Sequence, residues 1–458
     1  MLEGLEATEV RLSECFENKD FRTDSNFYTA IPFVNPNLEY RPIGKCLLSS
    51  QYGISISMNE EGKGFPIYRM NEIHNLLCDL DVSKFADISL EELATFVLRD
   101  RDVLFNRTNS FEWVGRTGIY YNNDDVNRVF ASYLVRLTPN VSIILPEYLT
   151  TFLNTRFGMA DIRRRARQSI NQTNVNPEEV KEIKIPILDM EFQQEVATRL
   201  QSANQKRIIA QNLYSSAENY LLECLGMQDF VANPDSFNIK TLKESFLESG
   251  RIDAEYYLPK YEDYFRAVSA YAGGVAPLSE VCTIKDGNYT PDAKPSYRYI
   301  ELANIGKSGD ITGCLYEKGE DLPTRARRLV TAGDVIVSSI EGSLGSCALV
   351  TEAYDYALCS TGFYVVRSSQ INSETLLTLF KSEPIQQLLK KGCSGTILTG
   401  IGKQEFEQIP IPLIRPEVQD EIAQHIQRSF ALRKEASQLL EEAKLSVEWA
   451  VEMGGVNR

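Results

Sequence analysis

The chain has 458 residues, 43% hydrophobic and 24% charged, which is the composition of folded globular protein and length enough for two or three domains. A net charge of −15 excludes a uniformly basic surface, so any nucleic-acid contact must come from Lys and Arg gathered locally. Nine cysteines with no CxxC pair and only two histidines, His74 and His425, argue against a disulfide scaffold and a zinc site. Reduced thiols in a cytoplasmic protein are the expectation, with no secretory signal at the acidic N-terminus and no apolar run long enough to span a bilayer.

In chain order, the first phrase of note is "FRTDSNFY" (Phe21–Tyr28), with Arg22, Asp24 and Tyr28 at fixed spacing. "NPNL" (Asn35–Leu38) lacks the second Pro and the aromatic of a methyltransferase tetrapeptide and reads as a turn. Short runs rich in β-branched and aromatic residues follow, broken by Gly, Asn and Asp: "FPIYRMNEI" (65–73), "DVLFNRTN" (102–109), "EWVGRTGIY" (112–120) and "FASYLVRL" (130–137). They predict a strand-rich domain. A helical patch, "PEYLTTFLNTRFGMADIRRRA", leads through the loop "ARQSINQTNVNPEEV" to the phrase "IKIPILDMEFQQEVATRLQ" (183–201). From Glu191 to Leu225 the period changes. Apolar residues recur at Val196, Leu200, Ala203, Ala210, Tyr214, Ala217 and Leu221, the spacing of one long helix, closed by Gly226.

The same plan then repeats. "GRIDAEYY" (250–257), "YRYIELANI" (297–305), "GDVIVSSIEG" (333–342), "GSLGSCALV" (342–350), "STGFYVVR" (360–367) and "SETLLTLFKSEPIQQLLKK" (373–391) come in the same order as their counterparts. "IPIPLIRPEVQDEIAQHIQ" (409–427) lies 226 residues after its near-copy, and offsets elsewhere stay between 226 and 232. A second long helix is predicted from Glu417 to Val451, with Leu432, Ala436, Leu439, Ala443 and Ala450 on its stripe and Gly454 at its close. A period this long marks duplicated domains. Each copy is a globular head followed by a helix of about 35 residues, roughly 50 Å long. The thin, Ala-rich stripe calls for a partner, either the twin helix or the helix's own head.

This order of parts resembles the specificity subunit of type I restriction–modification systems, on "NEEGKGFPIYRMNEI", "DVLFNRTNSFEWVGRTGIY", "GDVIVSSIEGSLGSCALV" and the duplicated Ile-Pro-Ile phrases. The resemblance implies an α+β chain of two strand-rich target-recognition domains in pseudo-two-fold arrangement, separated by two long antiparallel helices forming a coiled coil. The corresponding boundaries are 1–188 for the first recognition domain, 189–231 for the first spacer helix, 232–414 for the second domain and 415–458 for the second helix. It further implies double-stranded DNA, two methyltransferase subunits and restriction/translocase subunits as partners, with catalysis left to those subunits and no membrane association. A type IIB specificity subunit is the neighbouring reading, and an unrecognised nuclease or methyltransferase a more distant one.

The chain's own chemistry agrees with a non-catalytic role needing no cofactor. There is no GxxxxGK[ST] phosphate loop and no His-based triad, and "GSLGS" lies between two strand-like runs, as a hairpin turn would. The candidate DNA-binding residues are basic and amide clusters. In the first head they are Lys63, Arg69, Arg107, Arg116, Arg163, Arg164, Arg165, Arg167, Gln168 and Asn171. In the second they are Lys285, Tyr289, Arg298, Arg325, Arg327, Arg328, Lys390, Lys391 and Lys403. Arg suits phosphates and guanine edges, and Asn or Gln can read adenine bidentately. The bland counterpart for every cluster is a solvated face. Phe27, Tyr28, Tyr256 and Tyr257, recurring at one place in both copies, are expected to pack the heads rather than to stack on bases.

Overall fold

The computed structural model describes residues 8–17, 21–170, 172–395 and 399–455. The chain divides into two compact units, Met1–Ile208 with Arg433–Arg458, and Ile209–Leu432. The division falls within the long helices rather than between heads and helices, so each unit holds one head, the first half of one helix and the second half of the other.

The two heads share one topology. In the first, the main sheet begins with strands Leu47–Tyr52, Leu134–Pro139, Val103–Asn106 and Thr117–Ile119, side by side in that order and all antiparallel. In the second, Cys282–Ile284, Phe363–Ser368, Val335–Ser338 and Cys347–Leu349 stand in the same order, again antiparallel. The central strands "VLFN" and "VIVS" are buried along their whole length, which is why they read as unbroken apolar runs. A parallel pairing recurs in the smaller sheets, Val129–Phe130 beside Phe65–Tyr68 and Leu358–Ser360 beside Ser296–Ile300. The "GSLGS" stretch connects two antiparallel strands, as expected of a hairpin.

The predicted helical patch is two helices in each head. Pro146–Asn154 is followed by Arg156–Arg165, with Thr155 between them accepting from the Gly158 N–H as N-cap. The second head matches with Ser373–Lys381 and Glu383–Lys391, broken at Ser382. A short two-stranded hairpin then leads into a short helix in both. The Ile-Pro-Ile strand pairs with a strand near the head's start, Lys184–Pro186 with Tyr40–Pro42 and Pro410–Pro412 with Val275–Pro277.

The long helices run Met190–Cys224 and Pro416–Met453. In the first unit Phe192, Val196, Leu200 and Ala203 pack with Ala436, Leu440, Ala443 and Ala450 and with head residues such as Tyr148 and Ile185. In the second, Tyr214, Ala217 and Leu221 pack with Val418, Ile422 and Ile426. Lys206 pairs with Glu435 in the first unit, and Ser429 Oγ donates to the Ala210 carbonyl at 2.7 Å in the second. Each contact lies where one helix enters its unit and the other leaves it, so the half-helices inside each unit are antiparallel. Both expectations for the stripe therefore hold at once: each helix half packs on a head and on a half of its twin. Leu440, rather than Leu439, is the fully buried residue of that turn.

The duplicated phrases carry one buried polar lock. Gln193 Oε1 accepts from the Leu145 N–H at 2.8 Å, while Nε2 donates to the Leu188 and Ile143 carbonyls at 3.0 and 3.3 Å. Gln419, 226 residues on, accepts from the Asn372 N–H at 2.8 Å and donates to Ile414 and Gln370 at 2.8 and 3.0 Å. A buried amide with every group satisfied fixes the helix start against its own head. The "NPNL" segment is a turn, and Asn35 Nδ2 donates to the Val451 and Glu452 carbonyls at 3.0 and 2.8 Å, capping the second helix within the first unit.

Candidate nucleic-acid interface

The recurring Arg-Asp-Tyr phrases form the same clamp twice. Arg22 is bidentate to Asp24 at 2.8 and 2.7 Å, and Tyr28 donates to the Arg22 carbonyl at 2.9 Å. Arg251 is bidentate to Asp253 at 2.8 and 2.6 Å, and Tyr257 donates to the Arg251 carbonyl at 2.9 Å. Each guanidinium also donates to a carbonyl at or just past the C-terminal end of its head's basic helix, Arg22 to Arg165 at 2.8 Å and Arg251 to Cys393 at 2.8 Å. A cation is favourable at that negative helix end. Hydrogen bonding to the guanidinium holds Asp24 and Asp253 below the usual carboxylate range.

This clamp takes up part of the predicted basic clusters. Arg164 and Arg165 both lie 3.0 Å from Asp161 Oδ1, Arg165 is buried, and both guanidiniums sit over the Phe27 ring. Lys391, their counterpart, lies over Tyr256 and Phe265, and Lys390 faces Glu255 at 3.7 Å. Burial pushes Arg164 and Lys391 down from their ordinary values. The structure thus divides "RRRAR" and "KK" between side chains that face the solvent and side chains held in the clamp. Successive side chains on a helix point in different directions, and of Arg163–Arg165 and Lys390–Lys391 it is Arg164, Arg165 and Lys391 that take the clamp side.

What remains of the first cluster is exposed: Arg163, Arg167 and Gln168, with Arg167 3.1 Å from Glu179. Asn171 lies outside the described residues. Arg167–Gln168 pairs with Thr173–Asn174, which pairs with Thr108–Asn109, so the hairpin stands beside Arg107 and the turn to Arg116. Ile170 near its tip is fully exposed. Arg107 Nε donates to the Ser132 carbonyl at 3.0 Å and its guanidinium lies over Tyr52. Arg116 stacks on Trp113, its Cζ 3.0 Å from the ring centroid, and burial lowers its pKa to about 10. Lys63 and Arg69 stand apart on the smaller sheet, Lys63 in an exposed turn held by Asn59 and Arg69 paired to Glu72 at 2.5 Å. Trp113 and Phe111, both partly exposed, were not singled out in the sequence; their signal was an aromatic pair in the turn before Gly115.

In the second head the loop from Asp286 to Tyr289 gathers several candidates. Lys403 pairs with the Asp286 carboxylate at 2.5 Å, Arg328 donates to the Asp286 carbonyl, and the Tyr289 N–H donates to the Arg327 carbonyl at 2.8 Å. Tyr289 meets Tyr297 edge-on at 6.1 Å. Lys285 turns inward to Asp334 at 2.7 Å, joining Arg367 there, and so braces the sheet. Arg325 faces Glu301 at 3.6 Å, and Arg298 is exposed on the smaller sheet. Each head therefore presents cations and aromatics on loops carried by a sheet. Among the described residues no group of three or more His, Cys, Asp or Glu could hold a metal ion, and no helix is long and apolar enough to cross a membrane.

Two copies of one α+β head, each with basic loops and each packed on a long helix, define an internally duplicated protein. Residues 274–444 match the family model described as the type I restriction modification DNA specificity domain. The chain is 25% identical over 444 residues to a putative type I restriction enzyme specificity subunit, MjaX, of Methanocaldococcus jannaschii, covering 93% of this chain and 96% of that one. It is 27% identical over 152 residues, 32% of each chain, to the EcoKI specificity subunit of Escherichia coli K12. Among solved structures it is similar to the type I S subunit from M. genitalium, at 13% identity and TM-score 0.40, with 93% of this chain and 99% of that one covered. HsdS from Thermoanaerobacter tengcongensis is similar at 14% identity and TM-score 0.30, with 92% and 97% covered. The family read from the sequence as a resemblance is the one that the matching domain model and these relatives carry.

Proposed function

We propose that this chain is the sequence-specific DNA-binding subunit of a type I restriction–modification enzyme. Each head reads one half of a bipartite duplex target, and the long helices keep the half-sites at a fixed spacing. Lys and Arg on the head loops grip phosphates and set register, while guanidiniums and amides read base edges. The chain itself performs no chemistry in this reading. Methylation of adenines, extruded from the duplex, belongs to two methyltransferase subunits, and translocation and cleavage belong to restriction subunits, in the cytoplasm. The observation that carries the proposal is the duplication: two heads with one topology, two clamps and two glutamine locks, but different loop chemistry. Recognition of two unlike half-sites calls for that combination. The test is single-base-resolution methylome sequencing of the host with and without the gene. Loss of one bipartite methylated motif on deletion is the expected result, and an unchanged methylome would refute it.

A further inference from the structure

The turn from Ser110 to Arg116 is built to present a side chain. The Trp113 and Val114 N–H groups donate to the Ser110 carbonyl, and Asn106 accepts from the Gly115 N–H at 2.8 Å. Gly115 has φ +87°, and a Cβ there would lie 2.4 Å from Ile162, so both the backbone conformation and the space demand glycine. The turn is thus fastened to a core strand and to the basic helix. On it, Trp113 is 44% exposed although Arg116 covers one of its faces, and Phe111 beside it is 41% exposed.

Arg116 is the second observation. Its guanidinium is half-buried, and among the described residues no carboxylate lies within ion-pairing distance; burial alone acts on it. Other arginines of this head meet an acid or a carbonyl, as Arg69, Arg107 and Arg167 do. Stacked on the indole, the Arg116 guanidinium keeps its in-plane N–H donors free for a ligand, with no acceptor on them among the described residues. The hairpin with Gln168 pairs through Thr173–Asn174 with Thr108–Asn109, directly before this turn. At the corresponding turn of the second head, Gly345 stands opposite Gly115, and Ser343 and Ser346 stand where Trp113 and Arg116 do.

We infer that Trp113 and Arg116 form a base-contacting unit of the first head: a destacked base of the half-site packs on the indole, and the Arg116 fork donates to a neighbouring guanine. Stacking tolerates any base, whereas the fork supplies the discrimination. The second head has no such unit and reads its half-site by other means. This inference rests on the proposed DNA-reading function.

The test is the host methylome with the full enzyme carrying W113S, W113F or R116K. Trp113→Ser degrades the motif at one position of one half-site, and Trp113→Phe, which keeps a stacking ring, restores it. Arg116→Lys keeps the charge but loses the fork, lowering discrimination at a guanine in that half by roughly 5- to 150-fold. The other half-site stays unchanged in all three. An unchanged motif in W113S and R116K, or a uniform loss at every site, would overturn the inference while leaving the proposed function standing. If deletion of the gene itself leaves the methylome unaltered, the proposed function fails first.

Discussion

The stretch "RRRARQ" separates into two physical classes, and substitution should separate them too. Arg165 Nε lies 3.0 Å from Asp161 Oδ1 with both side chains under a tenth exposed. Breaking a buried pair costs about 3–5 kcal/mol. Arg164 still reaches the same oxygen at 3.0 Å, so Arg165→Ala should cost less, about 2–3 kcal/mol. At about 2–4 °C per kcal/mol for a unit of this size, the melting midpoint should fall by roughly 4–12 °C. The paired substitution Arg163→Ala and Arg167→Ala removes two exposed side chains, so stability should move by about 1 kcal/mol. If both grip phosphates, the log–log salt slope of duplex binding becomes shallower by about 1.8, at about 0.9 per contact. Between 50 and 200 mM salt the loss of affinity should then be about twelvefold smaller than for the parent. Calorimetry of the purified chain and salt titration of the assembled complex check the two limbs. A flattened slope with an unchanged midpoint for Arg165→Ala would refute the division, because it would place Arg165 on the duplex instead of in the clamp.

Gln193→Leu leaves one backbone N–H and two carbonyls of the first unit without partners, and Gln419→Leu does the same in the second; each should destabilise by about 2–4 kcal/mol. Hydrogen exchange should show the loss in the unit that carries the change. The clamp carboxylates Asp24 and Asp253 have folded pKa values below their unfolded ones, so their contribution is present above the unfolded value and lost as pH falls through the folded one. Replacing both by Asn should remove that acid-side dependence in a pH series of melts, with a small amplitude because both groups are half-exposed. Co-expression with the methyltransferase should give two copies of it per copy of this chain, since docking surfaces follow the duplication; mass spectrometry of the intact complex reads the ratio, and one-to-one would count against it. Exchange of residues 1–182 for the head of a relative should change one half of the methylated motif only.

Duplication, the order of parts and the long helices were legible in the chain because they are written in local pattern: period, turn residues and repeated phrases. The stripe residues Val196, Leu200, Ala203, Ala210, Tyr214, Ala217 and Leu221 are all buried, as a 3.6-residue period alone requires. The aromatic residues after the Arg-Asp phrases pack the heads, and their recurrence in both copies was enough to say so. Which arginines face outward was not legible. Arg163, Arg164 and Arg165 are neighbours on the last turn of one helix, but a helix turns about 100° per residue, and only the position of the Phe27 clamp decides which of them it meets. The role of the repeated glutamine needed the structure as well, because its partners lie about 50 residues away in the chain, at Leu145 and Ile143. Arg116 is the sharpest case. Its sequence neighbourhood is ordinary, and what sets it apart is a face of Trp113 and the absence of any acid beside it among the described residues. Local pattern determines where the chain turns and which face is apolar; pairing between distant segments, which fixes burial and charge compensation, is decided only when the sheets and helices close.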